Sequence, residues 1–402
     1  MGTKPQLNTK KALSIIGIIF VAFNLRPAIT SVGPLISSIM KDIGISNAAA
    51  GFITTLPLLS FAVFSLLAPK LGYRFGYERM VFIGLLTLIT GIVIRFISLT
   101  FTLFAGTALI GIGIAISNVL LPGIVKGKYP QKVGLMTAVY TTCMSVFSAI
   151  GTGLSIPLAK NLGLGWEKTL LCWASLALLA AVAWLPQLRK PSKFNDVKTS
   201  TLQGNSIWRS KIAWQVTIFM GLQSFLFYSM IAWLPEILNG RGLSISTAGW
   251  MVSIMQLTGL PITFLTPVLA ARFHSQRGIV GLIGFLYTAG LLGVLSGSSI
   301  GVLTVSVMLM GIGQAASISL ALTLLGLRTA NAQQSAALSG MSQSVGYSLA
   351  AVGPVLIGIL LDVTASVTVP LLLFIAIIIV MVTAGLGAGR NQTVFNENRA
   401  YD

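Results

Sequence analysis

Twelve apolar stretches, each near the length needed to cross a bilayer, divide this chain from end to end. They run between Gly, Pro and charged breaks at residues 12–40, 47–69, 79–97, 101–124, 134–158, 167–186, 213–236, 247–270, 278–296, 299–326, 334–361 and 367–388. A helix needs about 20 apolar residues to span the hydrocarbon core. Only 8% of the 402 residues are charged and 55% are hydrophobic, whereas a soluble domain carries roughly 25% charged residues. Such a chain has too few polar residues to cover a water-facing surface, so its solvent is lipid. The sequence predicts an all-α integral membrane protein with twelve transmembrane helices. The first stretch has no short apolar region ending in a small-residue cleavage site, so an uncleaved span is expected rather than a signal peptide. Pro27 and Pro34 lie inside it and predict a kink.

The formal net charge is +18, which raises the question of a nucleic-acid partner. The distribution of the charges answers it. With a cytoplasmic N-terminus, the outer side receives five of the 26 Lys and Arg: Lys41, Arg95, Lys160, Lys168 and Arg241. Arg26 falls inside a span, and the other 20 fall on the inner side. This is the positive-inside bias of a multi-pass membrane protein, and it puts both termini in the cytoplasm; a bacterial inner membrane is the expected location. No nucleic-acid role is expected. Cys143 and Cys172 sit inside apolar spans and read as small buried hydrophobes. With His274 as the single histidine, no metal site is expected.

One long polar loop, residues 187–212, follows the sixth span. It divides the chain into an N-terminal six-helix bundle (1–186), a cytoplasmic linker (187–212) and a C-terminal six-helix bundle (213–402). The halves carry an internal repeat. At an offset of 198, Gly44, Ser46, Ala50, Gly51, Pro69, Arg74 and Phe75 match Gly242, Ser244, Ala248, Gly249, Pro267, Arg272 and Phe273. At an offset of 200, Gly111, Ile112, Gly113, Ala115, Ser117 and Leu120 match Gly311, Ile312, Gly313, Ala315, Ser317 and Leu320. Two six-helix units in the same orientation, related by a parallel pseudo-two-fold repeat, are the arrangement of the major facilitator architecture.

Two motifs extend that resemblance. The loop after the second span, Pro69-Lys70-Leu71-Gly72-Tyr73-Arg74-Phe75-Gly76-Tyr77-Glu78-Arg79, resembles the major facilitator loop Gly-x-Leu-Ala-Asp-Arg-x-Gly-Arg-Arg. Arg74, Gly76 and Arg79 fit it, while Tyr73 replaces the usual Asp and Glu78 is the one acid left in the loop. The second copy, around Arg272, also lacks the Asp. In the family this loop latches the cytoplasmic gate, so the resemblance implies a gate role for Arg74, Gly76, Glu78, Arg79 and Arg272. The segment Asn24-Leu25-Arg26-Pro27-Ala28-Ile29-Thr30-Ser31-Val32-Gly33-Pro34-Leu35 resembles the first helix of the cyanate transporter-like (CynX/NimT-type) branch. That branch implies transport of small anions, small polar solutes or nitro-aromatic solutes.

Arg26 is the sharpest single feature. It lies about 14 residues into its span, roughly 21 Å at 1.5 Å per residue, near mid-bilayer. A charge there costs at least about 2.5–3.5 kcal/mol on insertion scales. One reading is an anion-binding guanidinium whose planar fork suits carboxylate-, nitrite- or cyanate-like groups. The other is a structural arginine bonded to carbonyls freed by Pro27 and Pro34. Thr30 follows at i+4 on the same helical face. Arg95, near the outer end of span three, is expected to snorkel to the interface.

Other mid-span polar side chains are few: Asn118, Tyr140, Tyr228, Gln256, Gln314, Gln343 and Tyr347. The resemblance places their helices around the central cavity and makes them candidate substrate contacts; hydrogen bonding between helices is the alternative, worth about 0.6 kcal/mol on average. None of the eight acids, Asp42, Glu78, Glu167, Asp196, Glu236, Asp362, Glu397 and Asp402, lies at mid-depth. Proton-coupled carriers commonly use a buried carboxylate, so neutralisation of Arg26 by the substrate itself is the expectation. The sequence thus points to a carrier, not an enzyme, with a small-molecule substrate and the lipid bilayer as partners and no cofactor, acting as a monomer. A drug or nitroimidazole efflux carrier of the same fold is the alternative, and a non-transport membrane sensor a more remote one.

Overall fold

A computed structural model describes residues 4–45, 47–188, 207–297 and 299–395. Most of the expected linker, residues 189–206, lies outside the described residues. Everything described is helix or connecting turn. Twelve helical segments among the described residues are long and apolar enough to cross a membrane, and each falls on one of the twelve stretches read from sequence.

The first span is not one helix. It consists of α1 (Lys4–Asn24), a four-residue α2 (Pro27–Thr30), a 3₁₀ turn at Gly33–Leu35 and α3 (Ile36–Ile43). The remaining helices are α4 (Asn47–Phe75), α5 (Tyr77–Arg95), α6 (Thr100–Lys128), α7 (Val133–Ile156), α8 (Gly165–Leu188), α9 (Lys211–Asn239), α10 (Ile245–Arg272), α11 (Arg277–Ser296), α12 (Ile300–Leu327), α13 (Ala332–Thr364) and α14 (Thr368–Ala388). The chain falls into two compact units. The first holds the described residues up to Gly127 and those from Val139 through α8; the second holds Lys128–Ala138 and everything from Ile207 onward.

In the first unit, α1 and α5 pack on α8, and α4 on α5. Val32, Leu35, Ile39, Ile53, Leu103, Trp166 and Leu170 form a core at one end, closed by a hydrogen bond from Trp166 Nε1 to Asp42 Oδ2 at 2.9 Å. In the second unit α9 pairs with α13, and α12 with α10 and α11. Four of its helices begin with a side-chain cap, where Ser210, Ser244, Ser299 and Asn331 accept the backbone N–H of Ala213, Thr247, Val302 and Gln334. These caps satisfy N–H groups that have no intrahelical partner. After α12, Arg328 is buried. Its Nε donates to the Ala388 carbonyl at 2.7 Å, and its own carbonyl accepts from Val394 N. Burial lowers its pKa to about 10, which leaves it charged at neutral pH.

The sequence repeat reappears as equivalent packing. The most buried span of the first unit is α6 and of the second is α12. Gly111 of α6 lies against Ser60 and Pro57 of α4, and its repeat partner Gly311 of α12 lies against Met255 and Thr258 of α10. Two residues on, Gly113 meets Gly84 and Leu88 of α5, and Gly313 meets Tyr287 of α11. Without a hydrophobic force between helices in lipid, small residues that admit close backbone contact hold such pairs together.

Candidate functional site

Arg26 occupies the break in the first span. Its backbone sits at φ −137°, ψ −40°, outside helical geometry, with Pro27 as the first residue of α2. The cause is local: the ring of a proline disfavours helical conformation in the residue before it, and proline donates no N–H to the preceding turn. The Arg26 side chain is half-buried. Its carbonyl accepts from Ile29 N and Thr30 N, both at 3.0 Å, and from Thr30 Oγ1 at 3.3 Å.

The break is braced from two sides. Asn24 Nδ2 donates to Phe20 O at 2.9 Å and across to Leu176 O of α8 at 3.3 Å. Phe23 stacks on Phe147 of α7 with ring centroids 3.9 Å apart. Thr30 Oγ1 also reaches Ser148 O of α7 at 3.2 Å. A Cβ on Gly151 would come within 3.1 Å of Pro27 and Thr30, so the glycine is what lets α7 approach.

An interrupted helix leaves carbonyls without their i+4 donors. Val32 N bonds Ile29 O and Leu35 N bonds Val32 O, which frees the carbonyls of Ala28 and Ser31. Side chains from other helices take them. Ser155 Oγ of α7 donates to Ser31 O at 3.0 Å, and Arg95 Nη1 of α5 donates to Ala28 O at 3.1 Å. Thr152 Oγ1 lies 3.5 Å from Thr30 O, whose i+4 residue is Pro34.

Arg95 therefore corrects the sequence expectation. It does not snorkel: it is 1% exposed and turned into the first unit. A position near the end of a span says how far a side chain must reach to leave the membrane. It does not say that a broken helix next door offers it a carbonyl instead.

The other candidates divide between the units. In the first, Asn118 of α6 and Tyr140 of α7 are buried. In the second, Gln343 is fully buried and its Nε2 donates to Ser339 Oγ at 2.7 Å. Gln314 is buried in α12, Tyr228 and Tyr347 are half-buried, and Gln256 is exposed on α10. Tyr228 packs edge-on against Phe227 at 5.0 Å. The structure brings Arg26 and Thr30 together on one segment. It adds a polar group that sequence reasoning missed, Gln223 of α9, which is 1% exposed and donates from Nε2 to Ser224 Oγ at 2.8 Å. A glutamine five residues before Tyr228 in the same apolar span was the available signal. Among the described residues no three or more His, Cys, Asp or Glu side chains gather as metal ligands.

In the loop motif, Arg74, Arg79 and Arg272 are exposed, and the Arg74 guanidinium lies 5.2 Å from the centre of the Phe75 ring. Gly76 joins α4 to α5 alone, at φ +94°. Glu78, in the first turn of α5, is fully buried, and its carbonyl accepts from Trp184 Nε1 of α8 at 2.9 Å.

The sequence profile of the Major Facilitator Superfamily matches residues 16–354. The chain is 58% identical to "Uncharacterized transporter YycB" of Bacillus subtilis over 98% of both chains. It is 40% identical to the 2-nitroimidazole transporter of Escherichia coli over 94% of this chain and 96% of that one. It is 25% identical to the cyanate transport protein CynX of Escherichia coli over 87% and 90%. Among solved structures, the human organic anion transporter MFSD10 superposes with a TM-score of 0.72 at 17% identity, covering 94% of this chain and 99% of that one. A full-length likeness in fold, a family profile over most of the chain and a relative at 40% identity converge. The chain belongs to the Major Facilitator Superfamily of membrane transporters, in its branch of cyanate and nitroimidazole transporter-like proteins.

Proposed function

We propose that this protein carries a small anionic or strongly polar solute across the bacterial inner membrane by alternating access, with Arg26 as the residue that holds the solute. The observation that carries this reading is the placement of Arg26 in an unwound turn, half-buried within a membrane-spanning segment. Unwound turns inside a span present backbone and side-chain polar groups where transporters bind their substrates. The acids of the chain lie at span ends or in loops. The relatives named for cyanate and for 2-nitroimidazole are consistent with a solute that offers two oxygens or a compact negative charge to a guanidinium fork.

The two six-helix halves, 1–186 and 213–402, would be the moving bodies, joined by the cytoplasmic linker 187–212, with both termini in the cytoplasm and one chain sufficient. Thr30, Asn118, Tyr140, Tyr228, Gln256, Gln314, Gln343 and Tyr347 are the proposed further contacts. The exposed arginines Arg74, Arg79 and Arg272, with Gly76 and Glu78, are the proposed gate elements.

The test is uptake of radiolabelled cyanate and 2-nitroimidazole into proteoliposomes by the wild type and by Arg26→Gln. Loss of saturable uptake in a variant that still folds and reconstitutes supports the assignment. Unchanged uptake overturns it. Because one relative is named for a nitro-aromatic, a nitroimidazole carrier is the second reading. Transport of 2-nitroimidazole but not cyanate, measured in both directions, separates the two.

A further inference from the structure

The end of the second unit where α9 and α11 begin and α14 stops carries arginines with no acid beside them. Between residues 207 and 395 the acids are Glu236 and Asp362, in the last turns of α9 and α13, at the opposite end of those spans. At the arginine end, Gln215 of α9, Arg277 of α11 and Thr383, Leu386, Gly387 and Arg390 on and after α14 line an open cavity of about 320 Å3. Arg277 Nε donates to the Leu386 carbonyl at 3.2 Å, which ties α11 to the end of α14. Its two Nη groups, the Arg390 guanidinium and the Gln215 amide make no hydrogen bond among the described residues. The Gln215 side chain lies against Gly387, where a Cβ would collide with it, so the glycine makes room for the amide between α9 and α14.

Two neighbouring features narrow what such a cavity holds. Trp214, next to Gln215 on α9, and Trp208 are both exposed, and Trp214 Nε1 donates to the Trp208 carbonyl at 2.7 Å. Tryptophan collects at the headgroup level of a bilayer, so the cavity lies at the depth of the lipid phosphates. The outer face of α14 then continues from the cavity as an exposed apolar stripe of Leu386, Val380, Ile379 and Leu372 at helical spacing. A ligand seated here meets two guanidinium groups and an amide at one end and apolar surface along its length. The volume is at the lower end of the about 300–1,000 Å3 of small-molecule pockets, which suits a phosphodiester headgroup whose chains lie outside it. Guanidinium forks match phosphate oxygens, and basic pockets between helices at the cytoplasmic surface suit anionic headgroups. A dissolved phosphate would use the arginines but not the stripe.

We propose that this cavity binds the phosphate of an anionic phospholipid through Arg277, Arg390 and Gln215, with the acyl chains along the outer face of α14. The charge bias assigns this end to the cytoplasm, so the lipid belongs to the inner leaflet. It bridges α9, α11 and α14 and stabilises the second unit without being the transported solute.

The experiment melts the full-length protein in detergent while phosphatidylglycerol is titrated into the micelles, against phosphatidylcholine with the same chains and against inorganic phosphate. A ligand that binds only the native state raises the apparent Tm. The expected result is a saturable rise of roughly 2–4 °C with phosphatidylglycerol and none with the other two. The double variant Arg277→Gln/Arg390→Gln abolishes the rise. Arg390→Gln alone, whose side chain has no hydrogen bond to lose, raises the half-saturating phosphatidylglycerol fraction about fivefold. Arg209→Gln, which removes an exposed charge at the same end but outside the cavity, leaves the response as in the wild type. An equal rise with phosphatidylcholine overturns the proposal, and an equal rise with inorganic phosphate makes the ligand a dissolved anion and overturns it too. So does a response that is unchanged in Arg390→Gln or falls as far in Arg209→Gln. If the double variant does not fold, the two single variants decide. The Arg26 assignment is read by uptake, so either conclusion can fail without the other.

Discussion

Ser155 Oγ reaches the Ser31 carbonyl at 3.0 Å, sharing its one proton with the Gly151 carbonyl of its own helix at 2.6 Å, and so joins α7 to a segment of the first span 124 residues earlier. Both residues are buried, and the carbonyl is free only because Leu35 N has turned to Val32 O. Replacing Ser155 with Ala leaves that carbonyl without its donor. The expected loss is about 1 kcal/mol of stability, read as a lower apparent Tm in detergent. Thr152→Val acts on a different carbonyl through a longer contact of 3.5 Å and is expected to cost less. Equal losses in the two variants count against the assignment of Ser155 as the main brace.

Gly76 supplies the whole connection between α4 and α5, at φ +94°. A Cβ there would meet nothing within 4 Å, so the demand for glycine is conformational rather than steric. Gly76→Ala is expected to destabilise the protein by about 1–3 kcal/mol. If the turn belongs to the gate, transport falls more than folded yield does. Reconstituted uptake per folded molecule is the measurement, and a proportional fall in both leaves Gly76 a structural turn only.

What was legible in the sequence was whatever repeats or sums over many residues. The twelve spans follow from length and hydropathy, and the repeat from matched glycines such as Gly111 and Gly311. Pro27 and Pro34 announced a disturbed first helix. What was not legible was which groups answer it. Sequence places Arg95 near a membrane edge and Ser155 in an apolar span; only the packing of α5 and α7 on the broken segment turns both toward its carbonyls. The burial of Glu78 under Trp184 is of the same kind. A loop acid normally reads as solvated, and the contact joins residues 106 apart.

The repeat glycines allow a comparison within one molecule. At Gly311 a Cβ collides with the backbone carbonyl of Met255, which cannot move without shifting α10. At Gly111 the nearest atom is Ser60 Cβ at 2.7 Å, held by the α4 backbone, with Ser60 Oγ at 2.9 Å and Pro57 Cα at 3.0 Å beside it, so α4 must shift, but by less than α10 would. Overpacking costs typically about 1–3 kcal/mol, and Gly311→Ala is expected at the upper end, Gly111→Ala at the lower. Gly153, with nothing within 4 Å of its Cβ position, is the control: Gly153→Ala is expected to be neutral or to stabilise by a few tenths of a kcal/mol, since alanine is the better helix former. Chemical or thermal unfolding of the three variants orders them, and a Gly153 variant as damaged as Gly311 would show that the contacts are not the cause.

Arg26→Lys separates charge from shape at the proposed substrate site. Lysine keeps the positive charge but replaces a planar fork with a single ammonium on a flexible stem. If the solute is held by two parallel hydrogen bonds, as a carboxylate- or nitro-like group would be, the lysine variant loses most of the orientation and keeps the electrostatic attraction. KM is then expected to rise at least about tenfold, equivalent to about 1.4 kcal/mol, with a smaller change in the maximal rate. A point-like interaction with a compact anion predicts less: KM within about threefold of wild type. Proteoliposome kinetics with cyanate and with 2-nitroimidazole on the same preparation give both numbers. A large effect on one solute and a small effect on the other shows which of them the guanidinium grips with two bonds, because the two solutes present the same arginine with different acceptor geometry.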